Sequence, residues 1–393
     1  MLSGHDIICF ANDWDADPTS KHQVMKVLAR SNKVLWVNSI GLRRPGASAQ
    51  DASRIFKKIR QFLRGPVQVN GNMHVLTPLA FPFHGMPFVK SLNRWLVSRY
   101  VRRQAKKLGM NGFHLWTFLP STGPLISQLK PKKVVYYCVD EWSAFTFLDP
   151  KLMQDMEERL IEQSDLVITT ATALYESKKH LNKHTYLIPH GVDSEFFGRA
   201  RLETTPVAPQ LAGLSKPVIG FWGLIHEWID QELLWEAATL RPDWSFVLVG
   251  KVGVDCSRLK GVPNIHLLGP HSYESLAGFA KGFTAAILPF KVNRLTNNVN
   301  PIKLREYLAA GLPVVSTALP EVQPYADVVR IATTPDAFVR ALDAAVQDTG
   351  QEAVDKRIAS VGQETWQAKV EMISSLMDKV SGEKTTVSGG QAA

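Results

Sequence analysis

The feature that most limits what this chain can fold into is a repeated switch of hydrophobic period. Short unbroken apolar runs, rich in β-branched and aromatic residues, alternate with stretches patterned every three or four residues. The first cycle is Ile7-Ile-Cys-Phe10, a helix near 19–30, then Val34-Leu-Trp-Val37. Strands separated by helical crossovers run parallel and are buried on both faces, so they read as continuous apolar runs. Further strands are expected at 73–76, 114–118, 134–139, 166–170 and 186–189. Around 195–216 the pattern lapses into a stretch rich in proline and small residues, which reads as a linker. It then restarts, with strands expected at 218–222, 245–249, 265–268, 285–289, 314–317 and 328–331. Helices are expected near 230–240, 272–281, 302–310, 335–347 and 353–381. The expected fold class is α/β, with two Rossmann-like domains. Their bounds are 1–195 and 217–363, joined by 196–216 and followed by a C-terminal helix at 364–384 that packs back on the first domain. Residues 385–393 are expected to be disordered.

A length of 393 residues accommodates two such domains, each with its own core. Cys9, Cys138 and Cys256 are far apart, form no CxxC pair and are odd in number, which disfavours a disulfide framework or structural zinc and suits a reducing cytoplasm. No run of 18 apolar residues occurs, and Met1-Leu-Ser-Gly-His-Asp6 lacks the features of a signal peptide; the expectation is a chain neither membrane-spanning nor exported. The net charge of +9 is unevenly spread: residues 1–150 carry 21 basic and 8 acidic residues, whereas 151–393 carry 24 and 28. A basic first half implies a surface that meets something anionic, whether nucleic acid, a phosphorylated substrate or a membrane.

The most informative segment is Asn298-Val-Asn-Pro-Ile-Lys-Leu-Arg-Glu-Tyr-Leu-Ala-Ala-Gly-Leu-Pro-Val-Val-Ser-Thr317. Asn300 suits an N-cap, Pro301 the first helical position, and Ile302, Leu304, Tyr307 and Leu308 an amphipathic helix. Gly311 ends the helix and Pro313 starts the next strand. A helix that begins where a strand ends in an open α/β sheet aims its unpaired N–H groups at the ligand crevice, which makes a pyrophosphate seat. Lys303 adds a point charge, and Glu306 one turn on offers an acceptor pair suited to a ribose diol. The bland alternative is an ordinary capped helix with both charges solvated.

The stretch from Asn300 to Ser316 closely resembles the nucleotide-sugar-binding segment of GT-B glycosyltransferases, in particular glycosyltransferase family 4. Ile188-Pro-His-Gly-Val-Asp193 with Phe196 resembles that family's sequence at the end of the N-terminal domain. Val218-Ile-Gly-Phe-Trp-Gly223 resembles the first strand and glycine turn of its C-terminal domain. The resemblance covers most of the chain and is weaker over residues 40–110. It implies two Rossmann-like domains facing each other across a cleft, with the sugar nucleotide held mainly by the C-terminal one. On that basis Gly223 lets the backbone approach the diphosphate, Lys303 and the amides after Pro301 (Ile302 onward) neutralise it, and Glu306 holds the ribose. The family's second glutamate, eight residues earlier, is replaced by Asn298. The usual Arg/Lys pair after the first C-terminal strand is missing from Leu224-Ile-His-Glu-Trp-Ile-Asp230, so either His226 or Arg294 replaces it or phosphate contacts are fewer.

In the first half, Asn12-Asp-Trp-Asp-Ala-Asp17 and Asp140-Glu141 both follow expected strands, where crevice residues belong. The resemblance places the first cluster in a loop facing donor and acceptor and the second where many relatives keep an active-site His or Asp. Asp140 is the favoured residue for orienting an acceptor hydroxyl, with Asp13 and Asp15 as rivals; each could equally be a helix cap or an Asx turn. Asp13-Trp-Asp15 also matches an Asp-x-Asp metal motif of another glycosyltransferase fold, but its place at the first of two domains argues against metal. No metal or cofactor is expected beyond a nucleoside-diphosphate sugar as co-substrate. His190, after a proline at the domain junction, is either a structural turn or a substrate contact. Retaining transfer is implied, with the diphosphate's own oxygen helping to take the acceptor proton; no Ser/His/Asp or Cys/His set is evident.

Residues 54–64, Arg54-Ile-Phe-Lys-Lys-Ile-Arg-Gln-Phe-Leu-Arg64, place Ile55, Phe56, Ile59, Phe62 and Leu63 on one helical face ringed by basic residues. That is an interfacial membrane pattern, unless the stripe faces the core. Residues 90–107 are similar, with an inner stripe of Val97, Val101, Ala105 and Leu108. No RNP-like, KH-like or zinc-finger pattern is present, which disfavours nucleic acid. The expected function is transfer of a sugar from a nucleoside-diphosphate sugar to a saccharide or lipid-linked acceptor in surface polysaccharide or glycoconjugate synthesis. It would take place in the cytoplasm, peripherally on the inner face of the membrane. The alternatives are a sugar-nucleotide epimerase of the same fold and a catalytically silent scaffold. A Rossmann dehydrogenase is disfavoured because no GxGxxG follows the first strand of either half.

Overall fold

The computed structural model describes residues 1–16, 18–39, 49–79 and 87–388. The chain divides into two units, Met1–Pro189 together with the stretch from Lys369 onward, and His190–Ala368.

The first unit is built on β1 (Asp6–Phe10), β2 (Lys33–Val37), β3 (Val67–Asn70), β4 (Met73–Leu76), β5 (Phe113–Thr117), β6 (Lys133–Cys138), β7 (Leu166–Thr169) and β8 (Thr185–Leu187). Their order is β3-β4-β2-β1-β5-β6-β7-β8. All neighbours are parallel except β3 with β4. Ile8 of β1 pairs with Leu35 on one side and Leu115 on the other, and all three are buried, as a strand covered on both faces requires. The helices that matter below are α1 (Ser20–Leu28), α2 (Ala49–Arg64), α3 (Pro87–Lys107), α4 (Pro150–Gln163) and α5 (Thr172–Lys178). At the start of α1 the His22 ring accepts the Thr19 N–H at 3.2 Å, and its other nitrogen donates to the Trp14 carbonyl at 3.1 Å. That arrangement uses the neutral imidazole. Burial pushes the His22 pKa down to about 4 and so keeps it neutral.

The two basic helices diverge in how they pack. In α3 the stripe Val97, Val101 and Ala105 is buried and belongs to the core. In α2 the core-facing side carries Phe62, whose ring lies 4.5 Å from that of Tyr100, together with Lys58 on the Ser39 carbonyl and Gln61 on Thr77. Its other side leaves Phe56 72%, Ile59 40% and Leu63 77% exposed. The expected single stripe is therefore split, with Phe62 turned inward and Phe56, Ile59 and Leu63 outward. The side chains of Arg54, Ile55 and Lys90 lie outside the described residues, as does Asp17. No helix among the described residues is long and apolar enough to cross a membrane.

The second unit holds β9 (Val218–Trp222), β10 (Ser245–Val249), β11 (Ile265–Gly269), β12 (Ala285–Leu288), β13 (Val314–Thr317) and β14 (Val329–Ala332), in the all-parallel order β11-β10-β9-β12-β13-β14. Counted from its first strand this is the dinucleotide-fold order 3-2-1-4-5-6, whose switch point falls between β9 and β12. Two helices complete the site's frame, α6 (Ile302–Ala309) and α7 (Gln351–Val361); α8 (Trp366–Ser388) starts in this unit and from Lys369 onward is counted with the first.

Three expectations need adjusting. Residues 196–216 lie within the second unit: Phe197, Ala200, Ala208 and Leu211 are buried in its core, because the stretch's scattered apolar residues have a surface to cover. The helix expected over 353–381 is two helices, interrupted at Gly362, where Thr365 accepts the Ala368 N–H at 3.1 Å and starts α8 afresh. Finally, α8 runs through residues 385–388, which were expected to be disordered; 389–393 lie outside the described residues.

Candidate functional site

In the second unit the carboxyl ends of β9 and β10 are shaped by two glycines. Gly223 has φ +144° and Gly250 φ +150°, and a Cβ on Gly250 would stand 1.9 Å from the Gly223 carbonyl oxygen. Only two bare backbones can approach in this way. A Cβ on Gly223 would meet Lys303 Cε at 3.5 Å, so the glycine turn and the first turn of α6 adjoin.

Glu306 on α6 is 4% exposed, and its Oε2 accepts from the Trp222 indole N–H at 2.7 Å and from Lys303 Nζ at 3.1 Å. The neighbouring Tyr307 hydroxyl accepts the Trp222 backbone N–H at 3.0 Å, so the end of β9 is tied to α6 through consecutive residues. The Trp222 ring lies between those of Phe197 and Phe283, at 5.8 Å from each, and edge-on to Tyr307. Lys303 keeps 23% of its side chain exposed. The result is a fixed carboxylate, a lysine able to leave it for an incoming anion, and a helix start beside a bare backbone turn.

Asn300 is not the cap of α6. Pro301 occupies that place with extended backbone, and the buried Asn300 side chain donates to Glu321 Oε2 and accepts from Arg305 Nη1, both at 2.7 Å. Arg305, 2% exposed, also bonds Glu364, which accepts the Tyr325 hydroxyl at 2.8 Å. Asn300 is thus drawn away from any ligand by a buried charge that must be satisfied, and the network fixes the start of α6 instead. Pro301 is buried and Ile302 half-buried at that start. Asn298 donates its side-chain amide to the Arg294 carbonyl at 2.8 Å and so closes the loop before α6; Arg294 itself is exposed. The His226 ring stacks on Trp228 at 4.7 Å over Gly253, in the loop after β9. His190 is buried, its ring 5.9 Å from that of Trp366.

In the first unit Asp13 and Asp15 face α2: Lys58 lies 3.6 Å from Asp13, and Lys57 lies 3.2 Å from Asp15. Among the described residues no group of three or more His, Cys, Asp or Glu could hold a metal. Asp140 follows β6, and desolvation pushes its carboxyl up against the opposing pull of Lys21. Its neighbour Glu141 is anchored: it accepts from the Ser143 hydroxyl at 2.5 Å and from Lys178 at 3.0 Å. Lys178 of α5 also reaches Glu157 of α4 at 3.4 Å, and Glu157 accepts the Tyr136 hydroxyl.

Trp222, the Arg305–Glu364–Tyr325 network, Lys21 and the Lys178–Glu141–Glu157 cluster escaped the sequence reading. The indole of Trp222 was visible at the strand end, but its partner lies 84 residues away.

Two units with parallel sheets, the second in dinucleotide-fold order and carrying this strand-end and helix-start arrangement, define the α/β fold of the GT-B glycosyltransferases. Residues 216–348 match the family described as Glycosyl transferases group 1. The chain is 29% identical over 259 residues to a Bacillus subtilis (strain 168) protein named as a teichuronic acid biosynthesis glycosyltransferase, TuaH. That similarity covers 61% of this chain and spans only 64% of the relative's length. Among solved structures, sucrose-phosphate synthase from Thermosynechococcus elongatus superposes with a TM-score of 0.68 at 16% identity, covering 96% of this chain and 100% of that one. Anabaena HepE, solved in complex with UDP and glucose, gives 0.66 at 13% identity over 95% and 99%.

Proposed function

We propose that the protein is a glycosyltransferase. It takes a sugar from a nucleoside-diphosphate sugar and passes it, with retention, to a saccharide or lipid-linked acceptor in surface polysaccharide or glycoconjugate synthesis. The observation that carries this is the Gly223 turn set against Lys303 and Glu306 at the start of α6. In the complex, Lys303 turns from Glu306 to the diphosphate, the amides after Pro301 add their partial charge, and the Glu306 carboxylate meets the ribose hydroxyls. His226 and Arg294 are the further candidates for phosphate contact. The HepE complex with UDP and glucose supports a uridine donor, and the name of the B. subtilis relative supports a glycoconjugate product.

In the transfer the bond from the anomeric carbon to the diphosphate breaks and a bond to the acceptor oxygen forms on the same face. The acceptor proton passes to the departing phosphate oxygen. Protein groups position the partners and stabilise charge on the leaving group, which Lys303 and the helix start supply. Asp140 orients the acceptor hydroxyl. A thermal-shift screen of nucleoside-diphosphate sugars, followed by measurement of released nucleoside diphosphate, tests this. Release together with a glycosylated product is expected. A changed sugar still attached to its nucleotide would indicate an epimerase, and neither event a scaffold.

The site of action we infer is the cytoplasmic face of an anionic membrane, met through α2. Phe56, Ile59 and Leu63 project outward, with Lys57, Arg60 and Arg64 exposed beside them. An apolar face ringed by cations matches a bilayer surface, with roughly 1 kcal/mol contributed by each basic residue near anionic lipid. Sedimentation with phosphatidylglycerol vesicles, weakened by salt and abolished by Phe56→Ser with Leu63→Ser, is expected; equal binding to neutral vesicles would count against it.

A further inference from the structure

Glu306 is 4% exposed, and a carboxylate is costly to bury. Its two oxygens are treated differently. Oε2 accepts from the Trp222 indole at 2.7 Å and from Lys303 at 3.1 Å. Oε1 has no protein partner among the described residues and is not sealed from solvent. The bond to Trp222 is not there to satisfy the indole, since Trp116 and Trp142 are also buried and their ring N–H groups have no partner among the described residues. A chain that leaves two indoles unpaired does not bury a carboxylate to serve a third. The pairing serves the carboxylate.

The two donors on Oε2 differ in how firmly they are held. Lys303 is a flexible cation with 23% of its side chain exposed, and on the function proposed above it turns to the diphosphate. Its departure removes the charge that pairs Glu306 just as a second anion arrives beside it, so an unheld carboxylate would swing away. The Trp222 indole stays. Its ring lies between those of Phe197 and Phe283, 5.8 Å from each, with Tyr307 edge-on at 4.4 Å. The Trp222 backbone N–H is held as well, by the Tyr307 hydroxyl at 3.0 Å. An indole N–H only donates and carries no charge for a diphosphate to attract. It keeps its place on Oε2 and leaves Oε1 for the ligand.

The geometry points to Trp222 as a positioning residue for the donor: its indole N–H holds the Glu306 carboxylate in place to accept from the ribose hydroxyls of a nucleoside diphosphate once Lys303 has left it. This rests on the glycosyltransferase reading and its placement of Glu306, and it assigns the preference for a ribonucleotide to a residue that touches no ligand. Trp222→Phe keeps an aromatic ring in the stack and removes the N–H. It is compared with Glu306→Ala and with the double variant, each in the full chain. Each is titrated calorimetrically with UDP, ADP, GDP and CDP and with the analogue of each that lacks both ribose hydroxyls. If Trp222→Phe does not fold, benzothienylalanine in place of Trp222 carries the same test, because sulfur then replaces the N–H in a ring system of the same size.

For the nucleoside diphosphate that binds the wild type best, Trp222→Phe is expected to lose affinity roughly fivefold or more, while affinity for the analogue without ribose hydroxyls stays within about twofold. In the Glu306→Ala background the same substitution should change neither, because the carboxylate through which it acts is gone. An equal loss on both ligands would overturn the proposal and make Trp222 purely structural. So would an additive loss in the double variant, or an unchanged affinity in Trp222→Phe. Failure of all four ribonucleotides to bind the wild type also overturns it, and the donor screen then decides separately on the glycosyltransferase reading: binding of a deoxyribonucleotide sugar keeps that reading, and binding of no donor removes it.

Discussion

Glu306 and Asp140 are both carboxylates near the carboxyl ends of parallel strands, one in each unit, yet they are held in opposite ways. Glu306 is buried and bonded to Trp222 and Lys303, and the helix that carries it is pinned from behind by Arg305, Glu364 and Asn300. Asp140 has fixed neighbours, but its own carboxyl makes no hydrogen bond or ion pair among the described residues and is pushed up by desolvation against the pull of Lys21. On the function proposed above, the contrast suits two kinds of ligand. A nucleotide is always the same shape and is best met by a site built in advance, because ordering costs are then paid at folding. A hydroxyl to be oriented needs groups whose hydrogen-bonding capacity is still unspent.

The largest effect that could break this comparison is expected from Arg305→Met. Removing one partner of a buried charged network costs about 3–5 kcal/mol, so the second unit should unfold at markedly lower denaturant while the first is unaffected. Loss of both units together would mean that the network is not local to the donor side. Next in size is Lys303→Ala. Losing a charge-assisted bond to a diphosphate lowers donor affinity roughly tenfold to a hundredfold, and because Lys303 is partly exposed the melting temperature should hardly move. Calorimetric titration with the donor reads the first and a thermal melt the second.

A smaller effect concerns acid. His22 and His114, both in the first unit, have pKa values pushed down to about 4, chiefly by burial. Against an unfolded value of about 6.5, each contributes stability that is complete above that pH and is lost as pH falls toward about 4. The first unit should therefore weaken in this window, by up to roughly 3 kcal/mol for His22 and by less for the more solvated His114. His22→Gln keeps an acceptor for the Thr19 N–H and should flatten part of the loss. An identical acid transition in wild type and variant would remove His22 from the account.

Much of the architecture was legible because parallel strands buried on both faces leave unbroken apolar runs, such as 7–10 and 218–222. The edge strand β3 was not, since Val67-Gln-Val-Asn70 is short and exposed and carries no such run. At the site, the i, i+3 relation of Lys303 and Glu306 could be read from α6 alone. The partners that give those residues their geometry could not: Arg305 finds Glu364 59 residues on, and Lys178 finds Glu141 37 residues back. Asn300 illustrates the limit, because its sequence context favours a cap while a buried arginine claims its side chain. Lys21 gave no signal, as a lysine at a helix start is ordinarily solvated.

The most direct test is one titration series with the nucleoside-diphosphate sugar selected by the donor screen, run on Lys303→Ala and Asp140→Asn in the full chain. A division of labour between the units predicts that Lys303→Ala loses affinity roughly tenfold or more, while Asp140→Asn stays within about twofold of wild type. Equal losses in both variants, or a larger loss in Asp140→Asn, would contradict it.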